Sequence, residues 1–106
     1  MTKADIVAEI SENTGVEKVA VQSTVEEFMK SIRNSLERGE NVYLRGFGSF
    51  ITKRRAEKTG RNISKNTTMI IPEHFIPAFK PAKEFVAEVK KLQSVKEDQP
   101  NPEEEM

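Results

Sequence analysis

Apolar residues in the first 38 positions recur at intervals of three and four, which is the pattern of α-helices with one buried face. A first helix is predicted from Thr2, which can cap its N-terminus, to Gly15, which can end it. A second is predicted from about Lys18 to Arg38, with Gly39 as its stop. Its apolar stripe predicts core packing rather than a ligand pocket and consists of Val21, Val25, Phe28, Met29, Ile32 and Leu36.

The middle of the chain has the shorter apolar runs and turn residues of β-structure. Residues 42–44 predict a short strand, and the two glycines within residues 45–48 predict a turn. Residues 49–55 continue as a strand, and the apolar run at 69–71 marks the strand that returns. Pro72 and Pro77 confine that return strand to a sheet edge or to bulges, because proline cannot donate to a ladder.

A last helix is predicted to open near Pro81, since proline suits the first turn of a helix. Phe85, Val89 and Leu92 follow at spacings of four and three and give this helix an apolar face. The predicted fold class is therefore α+β. It comprises two N-terminal helices, a three-stranded antiparallel sheet with long protruding β-arms, and a short C-terminal helix.

The domain organisation follows from a shift in composition near the C-terminus. Residues 1–91 are predicted to form one domain, with the arm at about 53–75. Residues 92–106 are polar, acidic and interrupted by prolines, so we expect a disordered tail. That tail either competes with a bound polyanion for nearby lysines or serves only as a solubilising segment.

Composition limits the classes of function. The hydrophobic fraction is 36% and the charged fraction 32%, so a chain of 106 residues is expected to complete its core by oligomerising. It contains no cysteine and only His74, which excludes disulfides, thiolate sites and multi-histidine metal sites. With no catalytic constellation, we expect no enzyme, no cofactor, no metal and no small-molecule substrate. The absence of a long apolar run or signal-like core predicts a cytoplasmic protein without a membrane partner.

The formal net charge is zero, but it is distributed unevenly along the chain. Residues 1–44 carry −3, residues 45–91 carry +7 and residues 92–106 carry −4. Charge acts locally, within about 10 Å at ordinary ionic strength, so the middle segment forms a basic surface. The alternative to a polyanion-binding arm is a hairpin whose scattered charges are only solvated. The outgoing side of the arm sets one acid, Glu57, against Lys53, Arg54, Arg55, Lys58, Arg61 and Lys65.

Three blocks in the basic segment carry a specific resemblance. They are GFGSF at residues 46–50, RAEKTGRN at 55–62 and PAFKP at 77–81. In this order and spacing they resemble the HU/integration host factor family of bacterial histone-like DNA-binding proteins. The resemblance extends from residue 1 to about 91.

The resemblance implies an intertwined dimer whose two arms reach round a DNA duplex along its minor groove. It leaves open whether the partner subunit is identical or a paralogue. The expected dimer core consists of Phe28, Ile32, Phe47, Phe50 and Phe79. The expected DNA-binding residues are Lys3, Lys53, Arg55, Lys58, Arg61, Asn62, Ile63, Ser64, Lys65, Lys80 and Lys83.

Two positions at the arm tip depart from the family pattern. Ile63 stands where the family usually has proline, and Asn66 stands where it usually has glycine. We expect Ile63 to act as the DNA-intercalating wedge, because isoleucine is among the apolar residues that open base steps.

The predicted function is that of a nucleoid protein that binds double-stranded DNA with low sequence specificity, bends it and compacts it. The alternatives are a site-preferring architectural factor of the integration host factor type, an RNA-binding protein and a structural oligomer. The sequence gives neither the bend angle nor any preferred DNA sequence.

Overall fold

The computed structural model of the chain describes residues 1–62, 64–65 and 67–92. Ile63, Asn66 and the predicted tail from residue 93 onward lie outside the described residues. The predicted α+β fold is confirmed. In chain order the elements are α1 (Lys3–Thr14), α2 (Lys18–Glu37), β1 (Val42–Leu44), β2 (Gly48–Arg55), β3 (Lys58–Asn62), β4 (Thr67–Ile71), β5 (His74–Pro81) and α3 (Lys83–Val89).

Helix α1 begins in a capping box. The backbone N–H of Thr2 donates to the Asp5 carboxylate at 2.9 Å, and the Asp5 N–H donates to the Thr2 hydroxyl at 3.3 Å. The first of these bonds lowers the pKa of Asp5, and the Thr2 hydroxyl adds to the effect. Gly15 ends the helix with φ of 78°, a left-handed conformation that glycine adopts without strain. The predicted bounds of α1 and α2 are therefore confirmed to within a residue.

The strands form two antiparallel sheets rather than one continuous ribbon. Strand β2 lies between β1 and β5 in a three-stranded sheet, and β3 pairs with β4 alone to form the hairpin of the arm. The ladder breaks between Arg55 and Lys58 on the outgoing side and between Ile71 and His74 on the return. Pro72 lies in the second gap, where its missing N–H prevents a ladder hydrogen bond.

The last helix begins later and ends earlier than predicted, so neither Pro81 nor Leu92 belongs to it. Pro81 is the final residue of β5, paired with Gly48, and α3 begins only at Lys83. The intervening Ala82 donates its N–H to the Phe47 carbonyl at 2.9 Å, which keeps this segment attached to the sheet. Leu92 lies beyond the helix in a tightened last turn, where its N–H bonds the carbonyl of Val89.

The single chain has a thin core. Among the described hydrophobic side chains only Val7 and Val21 are buried, whereas Phe28, Phe47 and Phe79 remain 50%, 45% and 39% exposed. The sheet phenylalanines nevertheless cluster. The ring centroids of Phe47 and Phe79 are 5.1 Å apart, and those of Phe50 and Phe79 are 4.9 Å apart. Gly48 permits this packing, because a Cβ at that position would lie 2.7 Å from the Phe79 ring.

The half-exposed aromatic cluster leads us to expect a dimer in which a second copy covers it. Sedimentation at micromolar concentration should give about twice the chain mass, and the unfolding temperature should rise with protein concentration. Phe79→Ala should lower dimer stability by about 3–5 kcal/mol, the range for truncating a buried phenylalanine. A stably folded monomer would contradict this expectation.

Candidate nucleic-acid interface

The two faces of the three-stranded sheet differ in chemistry because strand side chains alternate. Phe50 and Thr52 of β2 lie on the inner face, together with Val42 and Leu44 of β1. This face is turned toward α2, because Thr52 lines one cleft together with Arg33 and Leu36 of that helix. We call the opposite side of the sheet the outer face; its β2 residues are Ser49, Ile51, Lys53 and Arg55.

The strand register brings three predicted DNA-binding residues onto the outer face. Lys80 of β5 lies opposite Ser49, so it projects to the same side as Lys53 and Arg55. All three basic side chains are exposed. Arg54, which was outside the predicted set, projects to the inner side and pairs with Glu73 at 3.2 Å. The outer face therefore holds its positive charges without an intervening carboxylate on β2 or β5.

An open groove of about 680 Å³ lies where the sheet meets the arm. Arg55 and Lys58 line it together with Glu57 and His74, so the structure brings two predicted DNA-binding residues to one concave surface. The His74 Nδ1 atom lies 2.9 Å from the Pro72 carbonyl, and because a carbonyl only accepts, this nitrogen donates. His74 is thereby held at the rim of the groove, opposite Arg55 in the ladder.

The arm hairpin separates its basic residues between two faces. Lys58 lies opposite Ile71 and Arg61 lies opposite Thr68, three positions apart on β3, so their side chains project to opposite sides. The return strand adds apolar surface that our sequence analysis did not assign to the interface, because Met69 and Ile70 are 50% and 67% exposed. These two residues are adjacent in β4, so they project to opposite faces of the hairpin. The apolar run at residues 69–71 was the signal available for finding them.

The remaining arm residues are described only in part. Ser64 and Lys65 lie exposed at the tip. The backbone of Asn62 pairs with Thr67, but its side chain, like all of Ile63, lies outside the described part of the structure. Their assignments stay predictions.

On the helical body, Lys3 is held by an ion pair. Its ammonium donates to a carboxylate oxygen of Glu26 at 2.9 Å, and the Gln22 amide donates to the same oxygen at 3.2 Å. The bond from Lys3 is the main cause that lowers the pKa of Glu26, so the pair is present at neutral pH. Lys3 is therefore not free to bind a phosphate without first leaving Glu26. Lys80 and Lys83 are both exposed near the start of α3.

Comparison with known proteins agrees with this geometry. The family model described as bacterial DNA-binding protein matches residues 1–90. The chain belongs to that family. It is 35% identical to DNA-binding protein HU of Clostridium pasteurianum over 91 residues, which cover 86% of this chain and all of the relative. It is 36% identical to integration host factor subunit alpha of Aliivibrio fischeri over 92 residues, 87% of this chain and 94% of that subunit.

A solved structure of a family member with DNA has the same fold. The Anabaena HU–DNA cocrystal structure superposes with a TM-score of 0.81 at 32% identity, covering 84% of this chain and 97% of that one. The predicted family and fold are thus confirmed, and the chain is a histone-like architectural DNA-binding protein of bacterial type. None of the described helices is long and apolar enough to cross a membrane.

The Lys3–Glu26 pair generates a prediction about affinity. Glu26→Gln should release Lys3 and raise affinity for duplex DNA at low salt by about two- to fivefold, the value of one exposed ion pair. Glu27→Gln is the matched control, because it removes the same charge from the neighbouring residue, which makes no ion pair within the described chain. Fluorescence-anisotropy titrations of both variants decide the question. Equal effects would show that the ion pair does not restrain Lys3.

Proposed function

We propose that the protein binds double-stranded DNA through its outer face and arms, follows the minor groove with little base preference, and bends the duplex. The observation that carries the proposal is the continuity of positive charge. Lys53, Arg55 and Lys80 share one sheet face, and Lys58 extends that surface into the arm. Two other cations of this chain have their negative partners elsewhere: Arg54 pairs with Glu73 on the inner side, and Lys3 pairs with Glu26 on α2.

General features of DNA recognition assign different contacts to the body and the arm. Phosphate contacts fix the position of a protein on the duplex but do not read its sequence. The minor groove distinguishes mainly A·T from G·C pairs, so arms lying in it have little base choice. Members of this family are a standard example of minor-groove bending. The exposed side chains of Met69 and Ile70 give the arm apolar surface that can contact sugars and base edges.

We propose that the working unit is a homodimer in the bacterial nucleoid, in the cytoplasm, with no catalytic activity and no cofactor. The support is the half-exposed phenylalanine cluster, which a second subunit would cover. One relative is named as a subunit of integration host factor, so a paralogous partner is the alternative. Coexpression with each paralogue, followed by mass spectrometry of the intact assembly, distinguishes the two.

A second candidate function is that of a site-preferring architectural factor. It is favoured by the 36% identity to integration host factor subunit alpha. Competition between random-sequence duplexes and a selected pool separates the two functions, because only the site-preferring protein enriches one sequence. A duplex RNA and a single strand in the same series test the RNA-binding alternative.

The arm charges give a quantitative prediction. Lys53→Ala and Lys58→Ala should each weaken binding to all duplexes alike. Each should flatten the plot of log K against log salt concentration by about 0.9, the value for one lost phosphate contact. Lys30→Ala on α2 is the control and should leave the slope unchanged. If the slopes of the two arm variants match that of the parent, these lysines do not contact phosphate.

The wedge assignment gives a separate prediction. Ile63 lies outside the described residues. Its proposed role rests on the family pattern and on the fact that isoleucine is among the apolar side chains inserted between base steps. Ile63→Ala should reduce bending, measured by energy transfer between duplex ends, more than it reduces affinity. Ile63→Pro should retain the bend, because proline keeps apolar bulk and fixes φ. A parent-like bend in Ile63→Ala would show that the wedge lies elsewhere.

A further inference from the structure

We propose that the hydroxyl of Tyr43 donates a hydrogen bond to a backbone phosphate of the bound duplex, and that Asn41 orients it for this purpose. The inference rests on the proposed function and adds an uncharged contact to its basic surface. Tyr43 was not among the residues that the sequence indicated, because its relation to the basic side chains depends on strand register.

Tyr43 lies in a polar row across the outer face. It pairs with Ser49 on β2, and Ser49 pairs with Lys80 on β5. Neighbouring strands are about 4.8 Å apart, so the row spans about 10 Å from the backbone of Tyr43 to that of Lys80. The opposite face of β1 is apolar, since Val42 and Leu44 are half-buried there while Tyr43 is 72% exposed.

Asn41 fixes the direction in which the Tyr43 hydroxyl can donate. The backbone N–H of Thr52 donates to Asn41 Oδ1 at 3.1 Å, so the side-chain oxygen must face β2. The amide nitrogen then faces the phenol, and its N–H lies within 3.3 Å of the Tyr43 oxygen. That oxygen is used as an acceptor. The hydroxyl donates to no acceptor within the described part of the chain, and the side chain is 72% exposed, so its proton is available to an acceptor outside the protein.

A phosphate oxygen is the acceptor that this arrangement fits. The hydroxyl is on the same face as Lys53, Arg55 and Lys80, whose positive charges attract the DNA backbone. Tyrosine is among the side chains that donate to phosphate in protein–DNA complexes. Because a phenol carries no charge, its bond to phosphate releases no counterion. The contact should therefore raise affinity without changing the salt dependence of binding.

The competing explanation is that Tyr43 merely suits an edge strand, since tyrosine has high β-propensity. Tyr43→Phe distinguishes the two, because it keeps the ring and the propensity and removes only the hydroxyl. We expect this variant to bind duplex DNA about three- to tenfold more weakly, with the parent's salt slope. Lys53→Ala provides the contrast of a reduced slope. Thr24→Val is the control for removing a hydroxyl from α2, where it bonds the Ala20 carbonyl.

The role of Asn41 is tested by a double-mutant cycle. Asn41→Ala should lose part of the same affinity, and Asn41→Ala combined with Tyr43→Phe should bind no more weakly than Tyr43→Phe alone. Additive losses would overturn the orienting role. Circular dichroism and sedimentation of each variant establish that its fold and assembly match those of the parent before affinities are compared.

The parent protein provides a readout that needs no variant. Tyr43 is the sole tyrosine and the chain has no tryptophan, so intrinsic tyrosine emission reports on this one residue. Saturating the protein with duplex DNA should change that emission. Unchanged emission together with parent-like affinity of Tyr43→Phe overturns the proposal while leaving DNA binding intact. Failure of the parent to bind duplex DNA at all would instead overturn the proposed function.

Discussion

The pairing of β2 with β5 is the constraint on which the rest of the structure depends. It sets Phe50 directly opposite Phe79 and, one residue along, Ser49 opposite Lys80. A shift of one residue would exchange the two faces and expose the phenylalanines where the lysines now lie. The same hydrogen-bonded ladder thus determines both the packing of the aromatic cluster and the position of the basic surface. Gly48 protects this register, because any side chain there would collide with the Phe79 ring.

The thin core and the basic surface are linked by this geometry. An inner face that retains half-exposed Phe47 and Phe79 within one chain is stable only when more apolar surface covers it. A second copy would supply that cover and would also place a second outer face and a second arm beside the first. We therefore expect dimerisation to stabilise the fold as well as to hold DNA at two positions.

The sequence predicted what depends on local pattern and missed what depends on register. The 3.6-residue periodicity and the caps at Thr2 and Gly15 gave α1 and α2 nearly to the residue. Pro81 was misplaced because a proline fits the first turn of a helix and the end of an edge strand equally well. Tyr43 was overlooked because its neighbours on the outer face lie 6 and 37 positions away in the chain.

Register also explains why Arg54 differs from its neighbours in a run of basic residues. A composition count treats Lys53, Arg54 and Arg55 as one charged segment, but the alternation of strand side chains places Arg54 on the inner side of the sheet, where it forms an exposed ion pair with Glu73. Glu26 pairs with Lys3 in the same way on the helical body. The acids of a chain with zero net charge are thus not spread uniformly among its cations. The four ion pairs of the described residues all use cations away from the outer face, and Glu57 is the acid that lies near it, in the groove beside Arg55 and Lys58. The field at the outer face is therefore more positive than the overall charge suggests.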